Sequence, residues 1–170
     1  MEKNLLARFE QIQTLVFDVD GVFTDNNVLI TETGEFLRRM NVKDGYALKC
    51  ALDAHLNIAI ITGGTSQGVI TRFNKLGVQH IWSGVHEKGS VLQHFLAQQR
   101  LSAEHTLYMG DDILDIAPLK MVGLPTCPAD AVPEVLSVAH YISPLNGGFG
   151  CVRDVIEKVL KLKGKWGANC

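Results

Sequence analysis

An apolar stretch that ends in two aspartates and a glycine constrains this chain more than any other part of its sequence. The first strand is predicted over residues 14–19, and its apolar run leads into Asp18-Val19-Asp20-Gly21. Such a run is typical of a buried strand, whereas aspartate and glycine are poor strand residues. We therefore expect the chain to leave the core at Asp18 and to turn at Gly21. Two carboxylates then lie where α/β proteins bind their ligands, close enough to hold one divalent cation.

Strand-like and helix-like segments alternate along almost the whole chain. Further strands of the core are predicted over residues 57–61, 79–82, 106–109, 123–127 and 140–142. Helices are predicted over residues 3–13, 44–55, 65–76, 87–99, 113–121, 131–138 and 152–162. This alternation predicts an α/β fold, a Rossmann-like parallel sheet with helices on both faces. The length of 170 residues, with 46% hydrophobic residues, fits a single domain over residues 1–170.

A short hairpin is predicted between the first strand and the helix over residues 44–55. Two extended runs, over residues 26–31 and 36–40, flank a turn that contains Gly34, which is the pattern of a β-hairpin. This hairpin, here called the flap and placed over about residues 24–41, is too small to be a domain. We expect it to project beside the first strand. The last residues, about 163–170, are predicted to form a flexible tail.

Polar residues also follow the ends of other predicted strands. They are Thr62, Lys88, Asp111, Asp112 and Asp115. Because parallel strands end at a common edge of their sheet, we expect these side chains to lie near Asp18 and Asp20.

Carboxylates, a hydroxyl and an ammonium group at one edge suit a phosphoryl group. A cation and a lysine offset the negative charge of a phosphate and of its transition state. One aspartate could attack phosphorus to form an aspartyl-phosphate, while a second moves a proton to the leaving oxygen. Oxygen ligands beside a phosphate favour Mg²⁺ over zinc.

Each of these motifs also has a simpler explanation. A calcium-binding loop is excluded because, with Asp18 as its first ligand, Leu29 stands where a bidentate glutamate is required. A plain turn at Gly21 and an acidic helix start at Asp111 both remain open, since acidic residues favour helix N-termini. Thr62 or Lys88 alone carries little weight. It is the combination at one edge that favours phosphoryl chemistry.

Composition and charge argue against several other classes of protein. The net charge of −2 and the pI near 6.3 offer no electrostatic basis for binding nucleic acid or an anionic membrane surface. No apolar run approaches the roughly 20 residues that span a bilayer, and the first residues lack the apolar region of a signal peptide. The four cysteines are scattered without a Cys-x-x-Cys pair, so we interpret them as thiols in a reducing cytoplasm.

The acidic and phosphate-binding positions occur in the order of the four motifs of the haloacid dehalogenase superfamily, which the chain resembles. Those motifs are Asp18-x-Asp20-Gly21-Val22, Thr62-Gly63, Lys88 and Gly110-Asp111-Asp112-x-x-Asp115. Segments 34–35, 41–46 and 147–154 further resemble the small phosphatases of 3-deoxy-D-manno-octulosonate 8-phosphate (Kdo 8-phosphate). The resemblance extends from about residue 13 to residue 163. It implies hydrolysis of this phosphate in lipopolysaccharide sugar biosynthesis.

The resemblance also implies a role for each residue of the set. Asp18 would be the nucleophile and Asp20 the general acid/base. Mg²⁺ would be held by Asp18, the backbone carbonyl of Asp20, and Asp111. The residues that support the metal site would be Asp112 and Asp115. The residues that bind the transferring phosphoryl group would be Thr62, Gly63 and Lys88.

Members of this family lack a large cap domain, and the spacing of the motifs here agrees with that. Between the motif-bearing strands, the interval 18–62 holds only the flap and a helix, and the interval 62–88 holds a helix and a strand. A lone chain would therefore leave its site open to water. The resemblance implies a homotetramer in which the flap and a neighbouring subunit cover the site.

Two positions depart from the usual pattern of these phosphatases. Gly64 stands where many have arginine, and Phe149 stands where the glycine-rich loop often carries a basic residue. Glycine cannot replace the donors that an arginine offers to a sugar carboxylate, so a nine-carbon 2-keto sugar acid 9-phosphate is an alternative substrate. A non-catalytic tetramerisation module is a second alternative. The candidate contacts for the sugar are Asn41, Lys43, Asp44, Gly45 and Arg72.

Overall fold

The computed structural model describes residues 2–167, and the side chains of residues 5–167. Its strands are β1 (Thr14–Phe17), β2 (Leu29–Ile30), β3 (Phe36–Leu37), β4 (Asn57–Ile61), β5 (His80–Trp82), β6 (Thr106–Met109), β7 (Leu124–Cys127) and β8 (Tyr141–Ile142). Six of them form one parallel sheet in the order β5-β4-β1-β6-β7-β8. The predicted parallel α/β sheet is confirmed.

Helices cover both faces of this sheet. They are α1 (Glu2–Gln11), α2 (Val42–Asp53), α3 (Gln67–Leu76), α4 (Lys88–Gln99), α5 (Ile116–Leu119), α6 (Pro133–Leu136) and α7 (Cys151–Leu162). Apolar side chains of α1, α2, α3 and α7 form one core cluster, and those of α4, α5 and α6 form a second one. The sheet separates the two clusters, so both of its faces are buried, as is usual for parallel sheets.

Strand β1 lies in the middle of the sheet and directs the chain toward the site. All four of its residues are buried. Leu15 and Phe17 belong to one core cluster and Val16 to the other, because successive strand residues point to opposite faces. Its neighbours are β4 and β6, and the backbone N–H of Asp18 still donates to the Met109 carbonyl at 3.0 Å. Asp18 therefore leaves the sheet at its centre.

The flap consists of the antiparallel strands β2 and β3, which pair at Ile30 with Phe36 and at Leu29 with Leu37. Gly34 in the intervening turn has φ 83°, a left-handed conformation that glycine adopts readily. The four paired side chains are exposed, Leu29 to 66% and Phe36 to 60%. The flap thus presents apolar surface to its surroundings.

Two predicted helices are reduced to a single turn of α-helix each, for reasons that can be read locally. The segment 113–121 is a 3₁₀ turn, Ile113–Asp115, followed by α5, and Asp112 and Asp115 form a capping box around that turn. Pro118 then lies in the first turn of α5, where its missing N–H removes no helical bond. Helix α6 starts at Pro133 and not at residue 131, because the residue before a proline is disfavoured in the helical region.

The C-terminal residues pack against the fold as far as they are described. The Arg153 guanidinium lies over Trp166, with its carbon 5.3 Å from the centroid of the Trp166 ring. Residues 168–170, including Cys170, lie outside the described part. The other three cysteines are buried and form no disulfide within the described residues. Across residues 2–167, the helices all fall short of the length and apolar character that a membrane crossing requires.

Candidate active site

The carboxyl ends of three adjacent strands bring the predicted polar residues together. Asp18 follows β1, Thr62 follows β4, Asp111 follows β6, and Lys88 is the first residue of α4. All four line one cavity of about 210 Å³, together with Asp20, Asn26, Gly63, Gly64, Asp112 and Leu114. The parallel sheet thus places side chains that are far apart in sequence at one edge, as its topology requires.

Lys88 is a buried cation held between two carboxylates. Its Nζ lies 2.9 Å from Asp18 Oδ2 and 2.8 Å from Asp115 Oδ1, and the side chain is only 4% exposed. Burial acts to lower the pKa of Lys88, but Asp18 and Asp115 outweigh it and the pKa is raised. Lys88 therefore keeps its positive charge beside Asp18.

Asp115 organises the loop that carries Asp111. Its Oδ1 accepts from Lys88 Nζ at 2.8 Å and from the Tyr108 hydroxyl at 2.6 Å. Its Oδ2 accepts from the backbone N–H groups of Asp111 and Asp112, at 3.2 and 3.3 Å. Gly110 leaves the room for this, since a Cβ there would lie 2.3 Å from the Asp115 carboxyl carbon. Asp115 thus has donors on both oxygens and serves as a support.

Asp18 and Asp111 each keep one buried carboxylate oxygen without a hydrogen-bond partner, Oδ1 in both residues. Burial is the largest cause that raises the pKa of Asp18 to about 8 and that of Asp111 to about 7. Buried carboxylate oxygens without donors are unfavourable unless a cation neutralises them. Asp18, Asp111 and Asp115 offer ligand atoms within 4.8 Å of one another. The donor set consists of oxygens alone and fits a hard cation such as Mg²⁺.

Asp20 lies at the border between the site and the flap. Arg38 of the flap donates to both of its oxygens, from Nε to Oδ1 at 2.6 Å and from Nη2 to Oδ2 at 3.2 Å. Gly64 permits this approach, because a Cβ there would lie 3.0 Å from Asp20 Oδ2 and 3.4 Å from Arg38 Nη2. The guanidinium of Arg38 therefore occupies space next to the position that lacks a side chain.

Two site residues were not predicted from the sequence. In the sequence, Arg38 is only one polar residue of a flap strand, and Asn26 is only part of a turn-like pair of asparagines. Asn26 Nδ2 donates to Asp111 Oδ2 at 2.8 Å. Both contacts depend on how the flap folds back over the sheet edge, and the local sequence carries no signal for that.

A larger cavity of about 1060 Å³ adjoins the catalytic one and lies between the flap and the start of α3. The two cavities share Gly63 and Gly64. The larger one is also lined by Arg38 and Arg72, which offer two guanidinium groups. An anionic sugar attached to a phosphate at Asp18 would have room here.

The remaining predicted contacts lie in different places. Asn41 caps α2 by accepting from the Lys43 backbone N–H at 2.9 Å, and both residues line a separate cavity of about 460 Å³. Asp44 is buried, and its Oδ1 accepts from the Arg153 backbone N–H at 2.8 Å. Gly45 packs on Arg72, because a Cβ atom added at Gly45 would lie 2.8 Å from the Arg72 Nη2. Of the predicted sugar contacts, Arg72 is the one that lines the larger cavity.

Asp112 and Thr62 are held by short-range hydrogen bonds. Asp112 Oδ1 accepts from the Ile113 N–H at 2.7 Å and so caps the 3₁₀ turn. Thr62 Oγ1 accepts from the Gly64 N–H at 3.1 Å. The Asp112 side chain thus supports the loop of the site, while Thr62 lines the cavity at the end of β4.

Comparisons with known proteins agree with this geometry. Residues 65–156 match the family model of the haloacid dehalogenase-like hydrolases. The 3-deoxy-D-manno-octulosonate 8-phosphate phosphatase of Yersinia pestis is 36% identical over 170 residues, which are 98% of this chain and 91% of that protein.

Two crystal structures resemble the chain over most of its length. The Yersinia pestis phosphatase structure superposes with a TM-score of 0.93 at 35% identity, over 95% of this chain and 88% of that one. The same phosphatase from Moraxella catarrhalis, in complex with a magnesium ion, a phosphate ion and a Kdo molecule, has a TM-score of 0.92 at 28% identity, over 95% and 93% of the two chains.

Proposed function

Because this chain belongs to the haloacid dehalogenase-like hydrolases, we propose that it is a phosphatase that hydrolyses Kdo 8-phosphate to Kdo and phosphate. The observation that carries the proposal is Asp18, a buried carboxylate at the end of β1. Its Oδ2 is held by Lys88 at 2.9 Å, while its Oδ1 has no partner. The likeness of this chain to the Kdo 8-phosphate phosphatases, which extends over nearly its whole length, supports the choice of substrate.

The reaction follows from the positions of Asp18 and Asp20. An oxygen of Asp18 attacks phosphorus and forms an aspartyl-phosphate, while the bond from phosphorus to the sugar oxygen breaks. Asp20 gives its proton to that sugar oxygen, which leaves as the hydroxyl of Kdo. Water then attacks phosphorus and gives a proton to Asp20. The bond between phosphorus and the Asp18 oxygen breaks, so that phosphate is released and the Asp18 carboxylate is restored. Lys88 offsets the negative charge of the phosphoryl group throughout.

The free oxygens of Asp18 and Asp111 support a cation site. Asp18, Asp111 and the backbone carbonyl of Asp20 would hold Mg²⁺, with Asp112 and Asp115 supporting the loop. When bound, the ion neutralises the buried carboxylates and the phosphoryl oxygens. Thr62 and Gly63, at the end of β4, would bind the phosphoryl group together with Lys88.

The larger cavity supports the assignment of a sugar acid. Arg38 and Arg72 line it, and guanidinium groups bind carboxylates through paired donors. Arg38 spends two of its five N–H donors on Asp20. The others remain to meet the carboxylate of the substrate, beside the glycine that replaces the usual arginine.

We also propose that the chain acts as a homotetramer. The exposed apolar side chains of the flap support this, since Leu29, Ile30 and Phe36 are each at least 60% exposed. A neighbouring subunit placed over this surface would bury it and would exclude water from the adjoining cavities.

Phosphate release tests the proposal. Purified wild type with Mg²⁺ should release phosphate from Kdo 8-phosphate, and Asp18→Asn should lower kcat by at least about 10³-fold, as the loss of a nucleophile does. Asp53→Asn is the matched control, because Asp53 is an exposed partner of Lys49. Equal activity of Asp18→Asn and wild type would overturn the proposal. So would a wild type that is inactive on a panel of eight- and nine-carbon sugar-acid phosphates.

A further inference from the structure

Asn26, at the base of the flap, holds an uncommon backbone conformation. Its φ is 63°, in the left-handed region where residues other than glycine are rare. Asparagine tolerates this region better than most residues, but glycine adopts it without strain. The turn alone therefore requires no asparagine, and the side chain needs a separate explanation.

The side chain of Asn26 reaches one oxygen of a buried carboxylate. Its Nδ2 donates to Asp111 Oδ2 at 2.8 Å, and Asp111 is only 3% exposed. The other oxygen, Oδ1, is buried and has no hydrogen-bond partner. Asn26 thus fixes the rotation of the carboxylate and distinguishes its two oxygens.

Asp18 is held in the same way by a donor from a different element. Lys88 contacts its Oδ2 at 2.9 Å, and its Oδ1 has no partner. Each of these two carboxylates therefore has one oxygen engaged by a donor and one oxygen left for a cation. In the case of Asp18 the donor comes from α4, and in the case of Asp111 it comes from the flap.

We propose that Asn26 is a positioning residue of the metal site, which turns Asp111 so that Oδ1 is presented to Mg²⁺. This inference rests on the proposed function only in taking Mg²⁺ as the ion. Groups that orient a metal ligand typically change metal affinity by about 10- to 100-fold when they are removed. Because Asn26 belongs to the flap, the same hydrogen bond ties the base of the flap to the metal site.

Glycine and alanine at position 26 separate this role from a purely structural one. Both remove the amide, but glycine relieves the left-handed backbone and alanine does not. If Asn26 served the turn alone, the variant with the lower stability would also have the lower affinity for Mg²⁺, and Asn26→Gly would keep its affinity. If it positions Asp111, both variants lose affinity, whichever way their melting temperatures move.

The experiment measures the Kd of Mg²⁺ by isothermal titration calorimetry on metal-free protein, with the melting temperature of each metal-free variant beside it. We expect Kd to weaken by about 10-fold in both Asn26→Gly and Asn26→Ala. We expect the melting temperature of both variants to fall, because Asp111 Oδ2 loses its donor, and to fall less for Asn26→Gly than for Asn26→Ala. Asn27→Ala is the control, because the neighbouring Asn27 donates to the Asp25 carbonyl at 3.0 Å, and its Kd should match wild type.

A wild-type Kd in Asn26→Gly would overturn the inference, as would an equal loss in Asn27→Ala. Wild type that binds no Mg²⁺ would overturn the proposed metal site and the inference with it. If wild type binds Mg²⁺ but leaves Kdo 8-phosphate intact, the substrate assignment fails, and the Kd ratio between wild type and Asn26→Gly alone decides the role of Asn26.

Discussion

Arg38 reaches from the flap to Asp20 and holds both oxygens of its carboxylate, with Nε 2.6 Å from Oδ1 and Nη2 3.2 Å from Oδ2. Paired charge-assisted hydrogen bonds of this kind fix orientation as well as distance. The Arg38 side chain is 13% exposed and that of Asp20 is 33% exposed, so water screens the pair only in part. The position of the flap and the position of the proposed general acid/base are therefore coupled.

Arg38→Ala should lower kcat/KM for Kdo 8-phosphate by about 10-fold or more, because a misplaced proton donor loses much of its effect. Steady-state phosphate release measures this. Arg39→Ala is the matched control: Arg39 is the next residue, is 77% exposed, and pairs with Asp25 outside the catalytic cavity. Equal effects of the two variants would contradict the role given to Arg38.

Lys88→Met should destabilise the metal-free protein by about 3–5 kcal/mol, since it leaves Asp18 and Asp115 buried without their cation. Urea denaturation at neutral pH measures the free energy of unfolding. Lys49→Met breaks an exposed pair with Asp53 and should cost at most about 0.5 kcal/mol. A loss for Lys88→Met no larger than that of the control would show that the buried pairing does not stabilise the fold.

Asp44→Asn should stabilise the protein at neutral pH. Burial raises the pKa of Asp44 from 3.8 to about 6, and its Oδ2 is buried without a partner. The folded state thus keeps this proton to higher pH than the unfolded chain does. The stability that this bound proton contributes is complete below about pH 4 and is lost as the pH rises through about 6.

Because an amide oxygen can still accept from the Arg153 N–H, Asp44→Asn should exceed wild type by about 2–3 kcal/mol at about pH 7.5. That difference should shrink toward about pH 4. Urea denaturation at the two pH values measures it, with Asp53→Asn as an exposed control. A difference that stays constant with pH would contradict the assignment to Asp44.

Phe36→Glu should shift the protein toward smaller species in analytical ultracentrifugation. Phe36 is 60% exposed on the flap, and a charge there would oppose burial against a neighbouring subunit. Thr33→Glu places the same charge at the exposed tip of the hairpin and should leave the sedimentation profile unchanged. A Phe36→Glu profile identical to wild type would exclude this face of the flap from the proposed tetramer interface.

The strand ends of the site could be predicted because the reasoning needed only one property of parallel sheets. Asp18, Thr62 and Asp111 follow buried apolar strands, so they lie at a common edge whatever the order of the strands. The order itself, with β1 between β4 and β6, is decided by packing between distant segments. Apolar patterning does not encode it.

The contacts made by the flap could not be predicted for a related reason. Arg38 and Asn26 reach Asp20 and Asp111 only because the hairpin folds back over the sheet edge. The placement of the flap, a tertiary contact, thus decides these two hydrogen-bonded pairs, and local propensity does not.

The central place of β1 has a consequence for the biogenesis of the site. Thr14 pairs with Asn57 on one side and with Thr106 on the other, so the strand that carries Asp18 is synthesised well before either neighbour. Long-range pairings of this kind form slowly, because the intervening loops must close, at a cost in entropy, before the stabilising contacts can form. A nascent chain therefore carries both aspartates of its first motif long before it can act on a phosphate ester, and activity in a refolding reaction should return only with the complete sheet.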